Sequence, residues 1–146
     1  TNNTILGNGV TGISCGNSSP TITGHGEDGI YCGNSSPTIT NNTISGNSTG
    51  ISCASSSPTI MNNTISGNST GISCSFSSPA LTNNTIAGNA GTGIYCRYSS
   101  APTITNNTIA GSGQYGIYCD SSDPSIMNNI VAFNGTGIYK SGGTPC

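Results

Sequence analysis

The sequence predicts an all-β fold, a parallel β-helix, and three observations carry that reading. A unit of about 21 residues recurs along nearly the whole chain. Polar and apolar residues alternate with period two inside each unit, over stretches too short for helices. When the units are stacked, their aliphatic residues fall into columns.

Aligned on Gly-Ile-(Ser/Tyr)-Cys, the coils end at Cys15, Cys32, Cys53, Cys74, Cys96 and Cys119, and Lys140 takes the same place in the last one. The spacings are 17, 21, 21, 22, 23 and 21 residues. Six to seven coils and a tail over 141–146 therefore make residues 1–146 a single domain. The clearest unit runs from Gly33 to Cys53, GNSSPTITNNTISGNSTGISC. Pro37 opens its first strand, Thr-Ile-Thr, where a missing N–H does least harm. Asn-Thr-Ile-Ser and Gly-Ile-Ser-Cys supply the second and third strands, with Asn, Gly and Ser turns between them.

The first strand's inward column reads Ile22, Ile39, Ile60, Leu81, Ile104, Ile126. The second reads Ile5, Ile44, Ile65, Ile86, Ile109, Val131. The third reads Ile13, Ile30, Ile51, Ile72, Ile94, Ile117, Ile138. Three short strands per coil, each sending one aliphatic residue inward, give a triangular solenoid. Each strand would pair in parallel with its copies above and below at ~4.8 Å. One coil buries too little apolar surface to offset the entropy of ordering it, so the array is expected to fold cooperatively.

Two residues after each third-strand Ile comes a cysteine, so Cys15, Cys32, Cys53, Cys74, Cys96 and Cys119 form a further inward column. Stacked side chains that run parallel hold their Cβ atoms wider than a disulfide prefers. A single file also lacks the convergence of metal ligand sets. The expectation is a reduced, apolar thiol column, with Cys146 outside it. The residue between Ile and Cys faces outward: Ser14, Tyr31, Ser52, Ser73, Tyr95, Tyr118, Tyr139. Its last three tyrosines should stack, by cross-strand packing or as a platform for sugar rings. Thr21-x-Thr23, Thr38-x-Thr40 and Thr103-x-Thr105 read as a threonine face, interrupted by Met61, Ala80 and Met127. That face resembles the threonine arrays of solenoidal ice-binding proteins.

The Asn-Asn pairs have two readings. Asparagine tolerates left-handed backbone, and a stacked amide can donate to the next, which gives a structural ladder of Asn42, Asn63, Asn84, Asn107 and Asn129. Five of the pairs also open Asn-x-Ser/Thr triplets, the acceptor pattern for N-glycosylation, of which the chain has ten. Acceptors should face outward at Asn2, Asn41, Asn62, Asn83 and Asn106, and at Asn17 and Asn34. Asn47 and Asn68 belong to a column (Asn8, Asn47, Asn68, Asn89, Asn134) that persists at Asn8 and Asn89 without the triplet. That persistence points to an inward, structural role.

Charged residues make up only 4% of the chain and there is one histidine, so the exceptions are easy to weigh. His25, Glu27 and Asp28 cluster where the second coil is four residues short, and they are the sole candidates for acid–base or metal chemistry. A solvated turn closing a shortened coil also explains them, and is the reading preferred. Arg97 and Asp120, equivalent in adjacent coils, are expected to form a surface ion pair. Nothing points to a cofactor. The net charge of −2 and the missing basic stripe give a nucleic-acid partner no support, and no apolar run could span a bilayer.

The pattern SPTITNNTISGNSTGISC, with its GIYC variant, resembles the right-handed parallel β-helix repeat proteins of the pectate-lyase-like superfamily over essentially the whole chain. The resemblance implies the right-handed sense. Members include polysaccharide lyases, hydrolases and epimerases as well as secreted or surface repeat proteins without known activity. The enzymes carry acidic clusters with Arg or Lys on one face, whereas here four acids and two bases are scattered across coils. The resemblance thus implies the fold and not the catalysis.

The expected function is structural: an extracellular or cell-surface β-helix, a fibre or stalk subunit or a glycan-bearing scaffold, and not an enzyme. The tail Ser-Gly-Gly-Thr-Pro-Cys matches the opening of a coil, so Cys146 falls where Thr38 falls, while Thr1 corresponds to Thr40. This fits an excerpt of a longer array or subunits that self-associate head to tail. The alternatives are a carbohydrate-active enzyme acting through His25, Glu27 and Asp28, and a module binding glycans or ice.

Overall fold

The structure is a computed structural model that describes residues 4–6, 11–14, 21–23 and 26–142. All its regular elements are strands, and every strand pairing is parallel. Three sheets run along one axis. The first has five strands, Thr38–Thr40, Thr59–Met61, Ala80–Thr82, Thr103–Thr105 and Ser125–Met127. The second has seven, from Thr4–Leu6 to Ile130–Ala132, and the third has seven, from Thr11–Ser14 to Thr136–Ser141.

The core is a stack of isoleucines. Ile39, Ile44 and Ile51 are buried together with Cys53, while Thr38 and Thr43 are exposed and Thr40 and Ser52 half-buried, as the alternation predicts. Ile13, Ile126 and Val131 pack against this core from its ends. Ile138 keeps the inward register opposite Ile117 but stays 46% exposed, because among the described residues no coil lies beyond it.

One column differs from the sequence reading. Ile22 was expected in the first sheet; it lies in the second, between Ile5 and Ile44. Residues 24–27, Gly-His-Gly-Glu, hold no apolar side chain with which to build a further inward strand. The only aliphatic residue of the shortened stretch therefore takes the position nearest the next Gly-Ile. Ile22 precedes Ile30 by eight residues, close to the seven between Ile44 and Ile51 and far from the twelve between Ile39 and Ile51. Thr21 and Thr23 leave the expected threonine face with it. The unbroken threonine column is instead in the second sheet: Thr4, Thr21, Thr43, Thr64, Thr85 and Thr108.

All three corners follow one rule, in which a residue with left-handed backbone precedes a buried polar one. Asn41, Asn62, Asn83 and Asn106, at φ of 55–57°, precede Asn42, Asn63, Asn84 and Asn107. Gly46, Gly67 and Gly88 precede Asn47, Asn68 and Asn89; Ser55, Phe76, Ser99 and Ser121 precede Ser56, Ser77, Ser100 and Ser122. The left-handed residue turns the chain, and the next side chain satisfies the backbone groups that the turn removes from the ladders.

The glycine of the Gly-Ile anchor has a different reason. A Cβ at Gly71 would lie 2.5 Å from the Gly93 carbonyl oxygen and 2.9 Å from Ile86 Cγ2. Consecutive coils approach too closely there for any side chain.

Candidate functional site

The corner between the first and second sheets separates the members of each Asn-Asn pair. The second asparagine points in. Asn42 Nδ2 donates to Asn63 Oδ1 at 2.9 Å, Asn63 Nδ2 to Asn84 Oδ1 at 3.0 Å, Asn84 Nδ2 to Asn107 Oδ1 at 3.0 Å, and Asn107 Nδ2 to the half-buried Asn129 Oδ1 at 3.1 Å. A parallel file links Asn47 to Asn68 at 2.9 Å and Asn68 to Asn89 at 3.2 Å. A third file of serines, unforeseen in the sequence, carries Ser56, Ser77 and Ser100 by backbone N–H to the Oγ of the next serine at 3.1–3.3 Å. Its signal was the fixed Ser two residues before the proline of each opening turn, as Ser-Ser-Pro, Ser-Ala-Pro or Ser-Asp-Pro.

The first asparagine of each pair points out. Asn41, Asn62, Asn83 and Asn106 form an exposed column at one edge of the solenoid, and Asn34 is exposed at the corner before the first sheet. Asn47 and Asn68 are buried, as their column predicted. Asn2 and Asn17 lie outside the described residues. The exposed column thus offers carboxamides at regular strand spacing, each followed two residues later by the threonine of an acceptor triplet.

The short coil gathers less than its sequence suggested. His25 lies outside the described residues. Glu27 is exposed, and Asp28 is half-buried, hydrogen-bonded to the Thr49 and Ser52 side chains. Burial raises the Asp28 carboxyl above its ordinary range, against the lowering effect of the Thr49 bond. The other acids, Asp120 and Asp123, belong to a coil four strand spacings away, roughly 19 Å along the axis. Lys140, in the slot of the cysteines, turns to Asp123 and forms an ion pair at 2.5 Å.

Arg97 also departs from expectation. It is in register with Asp120, but its guanidinium carbon lies 5.6 Å from the Tyr95 ring centre and 5.3 Å from that of Tyr98. A planar, weakly hydrated cation between two aromatic faces replaces the ion pair expected with Asp120. The tyrosine file is present: Tyr95 and Tyr118 stack at 4.9 Å, and Tyr118 meets Tyr139 at 5.4 Å. Tyr115, which the sequence reading missed, joins Tyr118 at 5.0 Å and Tyr139 at 5.1 Å, and Phe76 stacks on Tyr98 at 5.2 Å. Of these rings Phe76, Tyr98 and Tyr139 remain exposed.

Cys32, Cys53, Cys74, Cys96 and Cys119 are buried and not in disulfides, each in register with the next; Cys15 lies outside the described residues. The neighbouring Cys53 and Cys96 thiols, together with burial, push the Cys74 thiol well up. Among the described residues no three His, Cys, Asp or Glu side chains converge as a metal ligand set.

Residues 28–145 match the sequence model of a family described as the right handed beta helix region. Neither curated proteins nor solved structures yielded a match.

Proposed function

We propose, from the premise that this chain belongs to the right-handed β-helix family, that it is a structural extracellular or cell-surface module, a fibre or stalk segment able to stack head to tail and to carry glycans. The observation that carries this reading is the continuity of the polar files. The Asn42 file passes through every coil from Asn42 to Asn129 without a catalytic-looking interruption. A rod whose interior is uniform and whose surface is almost uncharged is suited to spanning distance. The outward asparagine column is suited to holding the hydrophilic coat that such a surface requires.

Two observations support stacking. The last described coil leaves Ile138 46% exposed and Val131 only half-buried where inner coils bury their aliphatics, and its strand edges lack a following partner among the described residues. Exposed edges of this kind recruit further strands. Electron microscopy of the purified chain tests the reading: filaments of solenoid width are expected, and discrete particles at all concentrations would count against it. His25→Ala and Glu27→Gln should leave any activity on polysaccharides unchanged. Loss of a measurable lyase or hydrolase activity in either variant would replace the structural reading with the enzymatic one.

A further inference from the structure

We infer that the buried cysteine file is a binding site for soft d10 cations that take two sulfur ligands in a line, each ion held between thiols of successive coils. The file is long and pure. Cys32, Cys53, Cys74, Cys96 and Cys119 stand in register, each no more than 1% exposed. The residue before the cysteine switches between Ser and Tyr, and the one after it runs through Gly, Ala, Ser, Arg and Asp, while the cysteine recurs in every coil up to Lys140. Packing alone asks only for a small apolar side chain at this place.

The geometry selects the ion. Parallel strands place neighbouring thiols ~4.8 Å apart, and two metal–sulfur bonds of ~2.3 Å laid end to end span ~4.6 Å. A linear S–metal–S unit therefore fits along the axis without moving the strands. Tetrahedral zinc does not fit, because four ligands would have to converge and a file supplies two. Hard cations find no oxygen ligands in the column. Charge narrows the choice further. Two thiols and one mercuric ion give a neutral bis-thiolate and release two protons to solvent, with no change of oxidation state. A monovalent copper or silver ion leaves one net negative charge among isoleucines, which an apolar interior disfavours. Sulfur does not bond at a straight angle, so one thiol cannot serve two ions in a straight file. The five described thiols accordingly take two ions, in separate pairs.

The thiols are closed to solvent, so loading is expected during folding. The test refolds the full reduced chain without oxygen in mercuric chloride and compares two variants with equal numbers of cysteines. Cys32→Ala/Cys96→Ala/Cys119→Ala keeps Cys53 and Cys74 as neighbours; Cys32→Ala/Cys74→Ala/Cys119→Ala leaves no two neighbours in the file. The first should retain one ion per chain, with two sulfurs and no lighter ligand in X-ray absorption, and the second should lack that ion. Wild type should retain at least two, with a raised thermal midpoint. Equal binding by both variants would overturn the inference. So would a wild-type spectrum showing three or more sulfurs or nitrogen and oxygen ligands, or loss of β-structure on loading; the wild-type results decide the matter even if a variant does not fold.

Discussion

Asn42 gives both its backbone N–H and its side-chain Nδ2–H to a single oxygen, Asn63 Oδ1, at 3.0 and 2.9 Å. Asn63 in turn donates from Nδ2 to the carbonyls of Ile39 and Met61 and to Asn84 Oδ1. One side chain thus satisfies buried groups in three consecutive coils. Asn63→Ala would leave several of them unpaired, and unfolding in urea should show a loss of about 3 kcal/mol or more. Asn62→Gly, one residue away but exposed and left-handed, should stay within ~0.5 kcal/mol of wild type. Equal effects would show that the inward asparagine is not the supporting one.

Gly71→Ala should be among the most damaging small changes. The new methyl would meet a backbone oxygen of the next coil at 2.5 Å, and relief requires two coils to separate, at a cost of about 2–3 kcal/mol. Gly67→Asn adds a larger side chain, but its Cβ would meet nothing within 4 Å, at a φ that asparagine tolerates. Thermal unfolding should leave Gly67→Asn close to wild type and lower the midpoint of Gly71→Ala sharply.

Asp28 gives stability an inverted pH dependence at one site. Burial raises its carboxyl in the folded chain above the unfolded value of 3.8, so the folded state binds the proton more tightly. The group's contribution is therefore fullest below that value and declines as pH rises through the folded one. Asp28→Asn fixes a neutral side chain, and its melting temperature should exceed that of wild type at pH 7. The gap should close at about pH 3. A variant less stable than wild type at pH 7 would mean that the Thr49 and Ser52 hydrogen bonds outweigh burial.

If the chain passes a glycosylating compartment, glycopeptide mass spectrometry should find sugar on Asn34 or on the column Asn41, Asn62, Asn83 and Asn106, and none on buried Asn47 or Asn68. Neighbouring acceptors in the column sit one strand spacing apart, ~4.8 Å, too close for two branched glycans side by side. Occupancy should consequently fall on alternate coils. Sugar on Asn47 with bare Asn41 would contradict the corner geometry.

Most of the solenoid was legible because a repeat states each position several times over. The inward Ile, Cys and Asn columns are visible wherever five copies agree. The short second coil was misread because it exists once. Pro20 before Thr-Ile-Thr imitates Pro37, and only the distance to the next Gly-Ile places Ile22 correctly. Arg97 was misjudged for a similar reason: register named Asp120 as its neighbour, but which neighbour a long cation chooses depends on the aromatic faces beside it, and Tyr98 occupies a corner position that varies from coil to coil. The serine file escaped notice since Ser is common in every turn, and only hydrogen-bond geometry tells the inward serine from its outward neighbours.

The asparagine files also carry a vector. In a parallel solenoid the backbone N–H and C=O groups point alternately up and down the axis and largely cancel. The side-chain amides do not, because each accepting Oδ1, in Asn63, Asn84, Asn107 and Asn129 and in Asn68 and Asn89, takes its bond from the Nδ2 of the preceding coil's asparagine. Their dipoles add, as peptide dipoles do along an α-helix. The rod is therefore electrically polar, with positive and negative poles at opposite ends, and in a dilute low-salt solution it should orient in an applied electric field.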